Sequence, residues 1–153
     1  MLSEVRHQEG ATGDWKQRLR VVMRSYREAC LRHPAVATIS SSSPNTEVAF
    51  IHFEQDLATM EEAGFSPQEA ALTLRSLLAF TSGMINSEIQ PILRRQAGKV
   101  MDSGPDREVV HRYPHLEAAY EHFMNQDRTA AFEFGLERLL TGIEREREPY
   151  SGK

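Results

Sequence analysis

The stretch SPQEAALTLRSLLAFTSGMINSEIQPIL, residues 66–93, decides the fold. Ser66 stands where a helix N-cap belongs, Pro67 suits the first helical position, and Glu69 is placed to return a bond to the Ser66 amide, which completes a capping box. From Ala70 to Leu93 the residues Leu74, Leu77, Leu78, Phe80, Met84, Ile85 and Ile89 occupy more than one side of a helix. A helix apolar nearly all round is buried on both sides, so this segment predicts a long central helix with partners on two faces.

Upstream, Phe50, Phe53, Leu57 and Met60 step by three or four until Gly64, a residue that can end a helix in a left-handed turn. Further back, Asp14 can cap a helix carrying Trp15, Leu19, Val22, Met23, Tyr26 and Cys30, which Pro34 closes. The run SSSSP from Ser40 to Pro44 between them is a loop. Downstream, residues 96–112 are rich in Gly, Asp, Ser and Pro and predict a loop with a short helical turn. A short helix follows from Tyr113 to Phe123. Asp127 then caps a last helix in which Phe132, Leu136, Leu139, Leu140 and Ile143 form a stripe, with Glu133, Glu137, Arg138 and Glu144 facing away. No segment alternates as a strand does. The prediction is an all-α bundle of five to six helices, with residues 1–13 a linker or remnant of a connecting helix, 14–146 one domain and 147–153 a flexible tail.

A chain of 153 residues with 40% hydrophobic and 26% charged residues is that of a soluble globular domain with one core. Its net charge of -4 supplies no positive field for gathering phosphates, so the chain is not expected to bind DNA by itself. Cys30 is the single cysteine, which excludes an internal disulfide and fits a reducing cytoplasm. No apolar run has the length of a signal peptide or a bilayer span, so no membrane role is expected. His111 and His115 are separated by the helix-breaking Pro114, and His115, His122 and Glu121 lack a further ligand; no metal and no cofactor is expected. There is no phosphate loop, no nucleophile elbow and no H-E-x-x-H, and an enzyme is not expected.

Four phrases stand in order: GDWKQRLRVVMRSYREACLRHP at 13–34, EEAGFSPQEAALTLRSLLAFTSG at 61–83, RYPHLEA at 112–118 and FEFGLERLLTGIE at 132–144. Any amphipathic helix could supply one of them; together, across about residues 13–146, they resemble the C-terminal domain of the tetracycline-repressor (TetR) family. The resemblance implies a transcription regulator whose helical body dimerises and holds a small molecule, while an N-terminal helix-turn-helix head grips DNA. That head is expected to be missing here, because LSEVRHQEGATG at the start resembles the linker that follows one.

In such a body two helices of each subunit meet around a two-fold axis. Gly83, Met84 and Ser87 on one helix and Phe132, Gly135, Leu136, Leu139, Leu140 and Ile143 on the other are the expected homodimer contacts; the alternative is that both stripes face the chain's own core. Met23, Tyr26, Cys30, Phe50, Phe53, Leu57, Leu77, Phe80 and Thr81 are the expected lining of a pocket for a small apolar or aromatic effector, with Tyr26, His52 or Thr81 orienting its polar atoms. Stripes of this kind also build ordinary cores. The expected function is the effector-binding and homodimerisation domain of a TetR-like regulator. The alternative is a headless partner that forms heterodimers with full-length relatives and has no effector of its own.

Overall fold

The computed structural model describes residues 2–5, 14–35, 37, 46–98, 107–124 and 127–147. A 3-10 turn, Leu2–Glu4, is followed by α1 (Trp15–Arg32), α2 (Glu47–Glu62), α3 (Pro67–Gln96), α4 (Arg107–Val110), α5 (Pro114–Met124) and α6 (Arg128–Arg147). The fold is all-α. Most of the expected linker, the serine loop at 40–44 and the tail beyond Arg147 lie outside the described residues. Among those described, no helix is long and apolar enough to cross a membrane, and no group of three His, Cys, Asp or Glu could hold a metal ion.

The helix starts are set by local chemistry. Asp14 accepts from the Gln17 amide at 2.9 Å, and Thr46 from the Ala49 amide at 3.2 Å. The Ser66–Glu69 capping box closes in both directions. Asp127 accepts from the amides of Thr129 and Ala130. Each satisfies amides that the first helical turn leaves without partners. At the end of α2, Gly64 adopts φ +80°, and the amides of Gly64 and Phe65 return to the carbonyls of Glu61 and Met60. This is a Schellman motif, sealed by Phe65 and Met60, which share the core.

Side-chain partners give the topology. Lys16, Arg20 and Arg24 of α1 pair with Glu144, Glu137 and Glu133 of α6, so those helices run antiparallel. Arg128 at the start of α6 reaches Ser87 and Glu88 of α3, while Arg147 at its end donates to the Ala63 carbonyl just before α3 begins, so α6 is antiparallel to α3 as well. The main core joins Leu19, Val22 and Met23 of α1, Met60 of α2, Leu74 and Leu77 of α3, and Phe132, Leu136 and Leu140 of α6. A smaller cluster of Cys30, Ala37, Ile85 and Ile89 extends it, flanked by Tyr26, Leu31 and Leu93.

Within the single chain, α3 is buried along one side, and the other side is the one expected to meet a second copy. Its buried residues, Ala70, Thr73, Leu74, Leu77, Thr81, Ile85, Glu88 and Ile89, form one stripe, and Leu72 on another side is 57% exposed.

Candidate functional site

The interior between α1, α3 and α6 holds most of the residues expected to line a pocket. Met23 and Leu77 are fully buried in the main core, with Phe53, Leu57 and Phe80 half-buried against it. Tyr26 and Cys30 belong to the smaller cluster. Phe50 is corrected: it is 56% exposed, on the surface of the first turn of α2, and so does not line this interior.

Thr81 lies one turn after Leu77 and one turn before Ile85, at the junction of the two clusters. Its hydroxyl is fully buried and, among the described residues, has no hydrogen-bond partner. Such an orphan costs about 1–3 kcal/mol. One residue on, Ser82 is hydrogen-bonded to Tyr26, whose hydroxyl burial holds above its ordinary value of 10.0; Cys30 also lies against it. Burial pushes the Cys30 thiol up to about 11, so at neutral pH it is a protonated, unreactive group.

The sequence reading missed a buried ion pair. Arg27 donates through Nε and Nη2 to the two carboxylate oxygens of Glu88 at 2.8 and 2.7 Å, reaches Thr129 Oγ1 at 3.3 Å and lies 5.0 Å over the Phe132 ring. Side-chain exposures of 9% and 7% put both charges out of water. A signal was present: Arg27 continues the stripe Leu19–Met23, and Glu88 continues the stripe Leu77–Thr81–Ile85, so two charges fall on two apolar faces.

The expected dimer residues separate into two groups. Phe132, Leu136 and Leu140 are fully buried in their own chain, which corrects their assignment to an interface: they face inward because α1 and α3 pack on that side of α6. Gly135 is corrected too. A Cβ there would stand 2.5 Å from Cζ of Phe80, so its smallness admits a ring of the same chain, one stacked on Phe132 at 5.8 Å. Gly83 and Ser87 are exposed, with open space beside Gly83; Met84, Leu139 and Ile143 are half-buried. Outward from these runs a groove of about 450 Å³ between α3 and α6, lined among others by Leu72, Ser76, Arg138, Leu139, Gly142 and Ile143. Phe134 of α6, absent from the expected set, is 64% exposed, with Arg138 over its ring at 4.8 Å.

Comparisons with known proteins bear on this arrangement. A family model described as Tetracyclin repressor-like, C-terminal domain, matches residues 8–147. The chain is 30% identical over 132 residues to the class E tetracycline repressor protein of Escherichia coli, a match covering 86% of this chain and 58% of that protein. It is 31% identical over 144 residues to the class A repressor from transposon 1721 of Escherichia coli, covering 90% and 61%. Among solved structures it is similar to a possible TetR family transcriptional regulator from Streptomyces coelicolor A3(2), with a TM-score of 0.79, 30% identity, and coverage of 95% of this chain and 73% of that one. ActR of Streptomyces coelicolor in complex with actinorhodin, at 21% identity and a TM-score of 0.76 over 97% of this chain and 72% of that one, shares the fold.

The helical body described above is therefore of the class of Tetracyclin repressor-like C-terminal domains. The chain belongs to the TetR family. It spans about three fifths of the length of the tetracycline repressors it matches.

Proposed function

We propose that this chain is the effector-binding and homodimerisation domain of a TetR-like transcription regulator, with any contact to DNA made by a head outside these 153 residues. The observation that carries the reading is the match of residues 8–147 to the C-terminal, rather than the DNA-binding, part of the family. The effector is a small apolar or aromatic molecule held where Met23, Leu77, Phe80 and Tyr26 converge, and Thr81 gives it a hydrogen bond. An orphaned buried hydroxyl supports this role, because a ligand oxygen there would remove the penalty.

The second copy covers the outer faces of α3 and α6. Leu72, Ser76 and Gly83 on one helix and Phe134, Arg138 and Gly142 on the other are its central contacts, with Met84, Ser87, Leu139 and Ile143 beside them. Exposed Leu72 and Phe134 on one chain form the kind of apolar surface that association removes.

Analytical ultracentrifugation together with thermal melting in the presence of tetracycline and actinorhodin tests both halves. Dimeric protein is expected at micromolar concentration, with melting raised by at least one probe in wild type and raised less in Thr81→Val. A monomer whose melting neither probe moves overturns the reading. A heterodimerising partner without an effector would instead co-purify with a full-length relative and show no probe response.

A further inference from the structure

On its outer side α6 carries Arg138, Gly142 and Glu146 at intervals of four, a single line along one face of the helix. All three are exposed, and all three line the groove between α3 and α6. The other glutamates of α6, Glu133, Glu137 and Glu144, are paired with Arg24, Arg20 and Lys16 of α1. Arg138 and Glu146 differ from them. Among the described residues neither has an opposite charge as its partner, and Arg138 lies over the Phe134 ring. About 12 Å separates the two along the axis, beyond the three- and four-residue spacings at which neighbours on a helix pair.

Between them stands Gly142. A glycine in a helix interior weakens the helix, so its place is explained by something that must come close. At Gly135 that group is the Phe80 ring, whereas a Cβ on Gly142 would meet nothing within 4 Å in its own chain. Gly142 therefore suits a backbone that arrives from outside the chain. It is also the midpoint of the line, with Arg138 four residues before it and Glu146 four residues after. Two antiparallel copies of α6 that cross at Gly142 are related by a two-fold axis perpendicular to both. That axis sets Arg138 of each copy beside Glu146 of the partner subunit.

We propose that Arg138 and Glu146 choose the partner of this chain. The groove accepts a helix that presents a carboxylate and a guanidinium in reversed order about a small residue, and a second copy of α6 meets that requirement twice. The inference rests on the reading that a second copy covers this face; it adds the register and the charge pairs that select the copy.

Sedimentation equilibrium at micromolar concentration on wild type, Arg138→Glu, Glu146→Arg and the double reversal tests it, with circular dichroism to follow the helices of each variant. Each single reversal turns two attractions into two repulsions and is expected to raise the dimer dissociation constant about tenfold or more. The double reversal is expected to return it to near the wild-type value. An equimolar mixture of the two single variants is expected to form a mixed dimer about as tight as wild type, because one chain then offers two carboxylates and the other two guanidiniums. The charge pairs are overturned, and the homodimer reading left standing, if wild type dimerises and neither reversal weakens it, or if the weakened variants are rescued neither by the double reversal nor by mixing. A wild type that stays monomeric overturns both.

Discussion

Arg27 and Glu88 are the most consequential pair of residues in the domain, because each is tolerable out of water only in the presence of the other. Arg27→Met is expected to cost about 3 kcal/mol, since it strands a carboxylate in the interior, whereas Arg27→Met combined with Glu88→Leu restores most of the loss. Urea denaturation of the three proteins measures this; a single variant as stable as wild type would mean that water reaches Glu88. The pair was legible only as an anomaly of pattern. Periodicity shows that a charge falls on an apolar face, but which charge answers it is a contact across 61 residues that spacing does not carry. Gly135 teaches the same lesson. Its smallness correctly announced a close approach, yet the approaching group is Phe80 of the same chain rather than a neighbouring backbone.

Among the elements, the ends of helices were legible and their sides were not. Asp14, Ser66, Glu69, Gly64 and Asp127 act within five residues of themselves, so their effects are written in consecutive letters. The charge ladder from α1 to α6 joins positions 109 to 128 residues apart and left no such trace. Two carboxylates at these places link pH to stability. Bonds from the Ser66 hydroxyl and amide hold Glu69 below its ordinary 4.5, and the Arg20 guanidinium does the same for Glu137. A carboxylate whose folded pKa is depressed contributes stability that is present above its unfolded pKa and lost as pH falls through the folded one. Melting temperature is therefore expected to hold level near neutrality and to decline as pH falls below about 4.5. Glu69→Gln and Glu137→Gln should each make that decline shallower in a series of melts. An unchanged slope in both would remove these carboxylates from the account.

For the whole molecule, the sequence showed that α3 and α6 carry much apolar surface but not how it is divided between inside and outside. That division depends on where α1 lands. It packs over Phe132, Leu136 and Leu140, which leaves Phe134, about half a turn from both Phe132 and Leu136, on the surface. Fold and assembly should accordingly respond to different residues of one helix. Leu136→Ala is expected to lower folding stability by about 2–5 kcal/mol. Phe134→Glu is expected to leave the melting of the isolated subunit nearly unchanged while shifting the sedimenting species from dimer to monomer. Gly83→Ala, with open space beside it in the single chain, should favour the helix by about 1 kcal/mol and still weaken association. If Phe134→Glu sediments as wild type does, the second copy sits elsewhere.

α6 follows the other described helices in the chain and supplies Phe132, Leu136 and Leu140 to the centre of the core. A ribosome that has translated only as far as α5 therefore displays a chain whose Leu19, Met23 and Leu77 have nothing to close over them. Closure of this core waits for α6 to be made, and until then its apolar faces stay open to association with other chains.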